Sequence, residues 1–137
     1  MTIDIRQPWA RTGHTHVKSV SEPGVAGYMT LVNTGAEPDR LLGAASPAAE
    51  KTEIHGIRVA GPGIAMRRLD KGIGLPAATT ITLRPRGYHL MMRGMRVQLT
   101  KGQRVPVTLT FEKAGIRQIE LIVEDEGPIG NETLHEK

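Results

Sequence analysis

The chain has 137 residues, no cysteine, one Trp, two Tyr and one Phe, and 18 Lys+Arg against 14 Asp+Glu for a net charge of +4. That length suits one domain with a core of its own. The absence of cysteine excludes thiolate metal sites and disulfides, and cations interleaved with carboxylates, with few aromatic stacking platforms, argue against nucleic acid as a partner. No apolar run approaches the ~20 residues of a membrane span. The opening MTIDIRQPWA lacks the basic-then-apolar order of a signal peptide. A chain free of thiols suits an oxidising compartment.

Taken in order, Ile3 and Ile5 alternate and lead into Gln7-Pro8-Trp9-Ala10-Arg11, where core packing is the default for Trp9 and shielding of a site the other reading. His14-Thr15-His16 reads first as an exposed polar edge strand; a His-x-His pair could also take Cu(II) or Zn(II). VAGYMTLVN predicts a strong strand closed by the turn Asn33-Thr34-Gly35, and the stretch from Asp39 to Ala45 a weaker one. KTEIHGIRV alternates, with Ile54 and His55 on opposite faces. Gly61-Pro62-Gly63 is a turn, so the residues from Ile64 to Arg68 return as the other arm of a hairpin. TTITL, VPVTLTF and RQIELIV are further strands, the last two joined by a turn at Lys113-Ala114-Gly115. No window shows a helical period. Short strands with Gly/Pro punctuation predict an all-β sandwich or barrel over residues 1–125, followed by a polar, flexible tail at 126–137.

Four side chains stand out from this pattern: His55, Met66, His89 and Met91. Thioether is soft and neutral and imidazole borderline, so together they suit Cu(I) better than Zn(II), Mg(II) or Ca(II). His89 and Met91 are two apart and share a face in extended backbone. Singly, each would more often be packing or a surface group. Met29 and Met92 are expected in the core, with Met95 a further thioether near the mouth. Arg84, Arg86, Arg93 and Arg96 bracket the second pair, either as solvated surface or as a basic rim that docks an acidic partner.

At these residues the chain resembles the periplasmic copper chaperones called PCuAC. The resemblance lies in PWAR, GYMTLVNTG, DRLLGAASP, EIHG, GIAMRRL, GLPA, LRPRGYHLMM and VPVTLTFEKAG, from about Pro8 to Val123. It implies a cupredoxin-like Greek-key β-sandwich and Cu(I) held by His55, Met66, His89 and Met91. It also implies copper delivery towards the binuclear copper centre of cytochrome c oxidase, directly or through a partner copper chaperone. Such a protein is periplasmic, monomeric and not an enzyme. The chain departs from the family in having 22 residues between Met66 and His89 rather than 21, the extra one expected between Arg67 and Gly72. Its tail offers only His135 as a donor for a second metal. The alternative reading is an Ig-like interaction domain without metal function. A blue-copper electron carrier needs a cysteine, and a metal-dependent enzyme needs an open position and harder ligands.

Overall fold

The computed structural model describes residues 2–11, 24–60, 63–85 and 87–124, with side chains throughout except at 57–60 and 63–67. Ten strands account for its regular structure: β1 (Ile3–Arg11), β2 (Gly24–Asn33), β3 (Asp39–Ala45), β4 (Ala49–Ala60), β5 (Gly63–Arg68), β6 (Ile73–Leu75), β7 (Thr79–Leu83), β8 (His89–Met95), β9 (Arg104–Phe111) and β10 (Gly115–Glu124). Among the described residues there is no helix, and so none long and apolar enough to cross a membrane. The strands hydrogen-bond in the order β5-β4-β8-β2-β1-β10-β9-β3-β6, with β7 also on β2. The sheet curls until β3 packs on β4 and β6 on β7, which makes a nearly closed β-sandwich. Only the β1–β10 pair is parallel among the described pairings.

Period-two patterning builds this core. In β9, Val105, Val107, Leu109 and Phe111 are buried on one face while Arg104 and Pro106 face out. The same face of the neighbouring strands supplies Leu121, Val123, Leu41, Leu31 and Ile3. Most expected strands appear at or within two residues of their predicted limits. Two strands lie beyond the expected set. β6 has three residues, too few for alternation to register, and β8 reads as a run of ligand-type residues rather than as a strand.

β2 carries three successive buried residues, Gly27, Tyr28 and Met29. Successive residues of a strand face opposite ways, so one of these is buried on the side away from the core. Met29 belongs to the core and Tyr28 does not. A second, smaller layer therefore covers the outer face of β1, β2, β8 and β4.

Candidate metal centre

Antiparallel pairing of β4 with β8 sets His55 opposite His89 and Glu53 opposite Met91. Residues two apart share a face, so all four fall on one side of the sheet. The intervening Ile54, Leu90 and Met92 point to the core and are essentially inaccessible. His55 and His89 are each only 5% exposed although they face outward. Their ring centroids are 5.5 Å apart with planes inclined at 59°. Met91 is half-buried, and its thioether lies over Gly24, where a Cβ would come within 2.5 Å of Sδ.

Hydrogen bonds fix the protons on both rings. His89 Nδ1 is 2.9 Å from the Gly87 carbonyl oxygen. A carbonyl only accepts, so Nδ1 carries the hydrogen and Nε2 the lone pair. His55 Nε2 is 2.9 Å from Glu53 Oε1. The hydrogen bond from His55, opposed by burial and helped by Arg93 and Arg68, holds the Glu53 carboxyl down at about 2. Glu53 is thus an acceptor, and His55 carries its hydrogen on Nε2. The two lone-pair nitrogens, His55 Nδ1 and His89 Nε2, are both buried and without a hydrogen-bond partner. Buried polar atoms are nearly always satisfied, so two orphan lone pairs on adjacent rings call for a ligand. Burial, with the neighbouring His55, lowers the His89 pKa against the pull of the Gly87 bond, which favours the neutral, metal-binding form.

Tyr28 and Trp9 cover the site. The Tyr28 ring lies 6.4 Å from that of His89, and Trp9 packs on Tyr28 at 4.6 Å with the ring planes tilted by 41°. Arg11 lies over the Trp9 ring at 5.8 Å. Burial pushes the Tyr28 phenol up, against the attraction of Arg11. Trp9 is packed, as its default reading has it, but outside the main core cluster. Trp9 is 3% exposed but belongs to the outer layer, and Ala10 takes the core position. The cause is a β-bulge: the β1–β2 register shifts between Arg6 and Trp9, with Gln7 at φ 49°, so the inward parity of Ile3 and Ile5 is reversed at Trp9.

The other sequence-predicted residues divide clearly. Met66 stands opposite Ile57, and Arg68 opposite His55, in the β4–β5 hairpin. The Met66 side chain lies outside the described residues, as do His14, His16, Arg86 and His135. Met29 and Met92 are core residues, and Met95 packs against the core. Arg84 and Arg96 are exposed, but Arg93 bonds Glu53 and belongs to the site. Sequence reasoning passed over Glu53 and Tyr28. The signal for Glu53 was present in its spacing of two before His55; none marked Tyr28. Among the described residues no group of three or more His, Cys, Asp or Glu side chains could hold a metal. A centre built on the two imidazoles therefore needs softer donors, and Met91 shares their face of the sheet.

The family described as "Putative lipoprotein LpqE-like" matches residues 3–123. A Leifsonia xyli protein described as "Putative lipoprotein Lxx21020" is 29% identical over 109 residues, covering 80% of this chain and 66% of that protein, so the chain spans just under two thirds of that relative's length. Among solved structures, the copper-bound PCuAC domain from PmoF2 superposes with a TM-score of 0.72 at 28% identity, covering 93% of this chain and 95% of that one. The apo PCuAC domain from PmoF1 gives 0.73 at 25%, covering 93% and 96%. The Cu(I) form of DR1885 from Deinococcus radiodurans gives 0.68 at 25%, covering 88% and 78%. The all-β sandwich with its outward imidazole pair is thus a PCuAC-type cupredoxin-like fold, and the chain belongs to the LpqE-like family.

Proposed function

We propose that the protein is a copper chaperone that carries one Cu(I) ion on His55, Met66, His89 and Met91. The observation that carries this reading is the pair of buried, unpartnered nitrogens, His55 Nδ1 and His89 Nε2, on rings 5.5 Å apart, with Met91 on the same face of the sheet. Copper-bound relatives of the same fold support it. Neutral imidazoles and thioethers stabilise Cu(I) over Cu(II), and neither needs a thiolate. The ion is cargo. A thiolate-bearing acceptor binds Cu(I) more strongly than thioether does, so stepwise replacement of Met91 and Met66 runs downhill towards the acceptor. The family resemblance points to the binuclear copper centre of cytochrome c oxidase, or a partner chaperone upstream of it, as that acceptor. The lipoprotein descriptions of the family and relative, with the cysteine-free composition, support work outside the cytoplasm, in the periplasm or its equivalent. The protein is a carrier rather than a catalyst.

An anaerobic Cu(I) titration against a colorimetric chelator tests the reading on the intact protein and on the H89A/M91A double variant. One equivalent held by the former and lost by the latter is expected. Failure of the folded intact protein to retain copper would leave the interaction-domain reading in its place.

A further inference from the structure

Glu53 lies outside the four donors, yet it is built into their support. Its side chain is 14% exposed, on a strand position facing Met91. Oε1 accepts from His55 Nε2–H at 2.9 Å and from Arg93 Nε–H at 3.2 Å, while Arg68 Nη1 approaches Oε2 at 3.4 Å. Two guanidinium groups, one on β8 and one at the end of β5, thus clamp the carboxylate beside the imidazole. So held, the carboxylate presents only lone pairs to His55. The alternative tautomer would set the Nε2 lone pair against it and place an N–H on Nδ1, where the buried surroundings offer no acceptor. Across the strand pair the Gly87 carbonyl imposes the opposite choice on His89.

We infer that Glu53 is a positioning residue that locks His55 in the Nε2–H tautomer, so that the copper centre uses unlike imidazole donors, Nδ1 from His55 and Nε2 from His89. This rests on the copper reading above. Outer carboxylates of this kind orient ligating histidines and raise their basicity. Here the carboxylate also turns the ring so that its bare nitrogen faces away from Glu53. The assignment has a geometric consequence. Nδ1 lies close to the backbone and Nε2 at the tip of the ring, so His55 donates from near its own strand while His89 reaches outward.

The test is nitrogen-15 NMR of the histidine rings in apo and Cu(I)-loaded protein, with Cu(I) affinity measured on the same samples. In the apo protein His55 is expected to show a protonated Nε2 and bare Nδ1, and His89 the reverse. On loading, the coordination shift should fall on His55 Nδ1 and His89 Nε2. E53A should move His55 towards a mixture of tautomers, leave His89 unchanged as an internal control, and weaken Cu(I) binding about 10- to 100-fold. E53Q, whose amide oxygen accepts the same bond, should restore both the tautomer and most of the affinity. Coordination of His55 through Nε2 would overturn the inference. So would E53A with an unchanged His55 tautomer, or E53A and E53Q losing affinity equally. A wild-type protein that binds no Cu(I) sinks the chaperone reading and the coordination assignment with it, whereas the apo tautomers still decide whether Glu53 orients the ring.

Discussion

At the scale of single residues, β8 separates two kinds of methionine one position apart. Met92 is fully buried among core aliphatics, and Met91 sits on the site face beside the two histidines. M92A should destabilise the fold by about 2–5 kcal/mol, as large-to-small core changes do, and leave Cu(I) affinity largely intact. M91A should do the reverse, weakening Cu(I) binding with little loss of stability. Urea melts paired with chelator competition distinguish the two, and equal affinity losses at both positions would dismiss Met91 as a ligand. Gly24 offers a gentler probe. A Cβ there would meet only the flexible end of the Met91 side chain at 2.5 Å, with the Met92 carbonyl oxygen next at 3.3 Å. G24A should therefore keep the fold, push the thioether aside and lower Cu(I) affinity about tenfold, the low end of the effect of ligand-supporting residues. An unchanged affinity would show that the sulfur binds from elsewhere.

At the scale of elements, backbone turns decide which side chains face which way. The Gln7–Pro8 bulge places one extra residue opposite Met29, and Pro8, which has no N–H to give a ladder, sits in it. Beyond the bulge the parity of β1 is reversed, which brings Trp9 over Tyr28 and so towards His89. The turns after β5 and before β9 show a different constraint. Gly72 (φ +78°) and Gly102 (φ +88°) are both left-handed, but a Cβ at Gly72 would run into the Leu41 carbonyl oxygen of β3, whereas one at Gly102 meets nothing within 4 Å. G102A should cost about 1–2 kcal/mol, the conformational term alone. G72A must also displace β3 backbone, so it should cost clearly more than the roughly 1–2 kcal/mol of that term. Equal losses in denaturant melts would mean that β3 moves freely, contrary to its pairing with both β6 and β9.

At the scale of the molecule, a buried acid far from the candidate metal centre ties together strands at the other side of the sandwich. Asp39, at the start of β3, accepts from Arg40 N at 2.7 Å, Lys113 N at 2.8 Å and Ala114 N at 3.0 Å. It thereby ties β3 to the turn between β9 and β10. Burial opposes its ionisation, but the N–H groups of Lys113, Arg40 and Ala114 together outweigh it and hold the carboxyl below its ordinary value. A folded-state pKa below the unfolded one means that this stabilisation is fully present above the ordinary carboxylate range. It is lost as the pH falls through the lowered folded value. D39A should cost about 2 kcal/mol at neutral pH, in the range for charge-assisted bonds, and the difference from wild type should shrink on acidification. A pH-independent difference would assign the loss to packing rather than to charge.

Much of this was readable in the sequence, for a physical reason. Strand alternation and turn chemistry are local, so the stretches from Val25 to Asn33, Asp39 to Ala45 and Thr79 to Leu83 could be placed closely, and the donor types of His55, His89 and Met91 already indicated a soft metal. A three-residue strand such as β6 carries too little pattern to be seen, and the bulge that turns Trp9 outward is one residue in length. Only the tertiary structure sets His55 against His89, because their register depends on strands that are distant in sequence. It likewise recruits Glu53, Arg93 and Tyr28, whose side chains matter through their neighbours. Residue chemistry fixes which ion could be held. Cross-strand pairing decides which nitrogens are left bare.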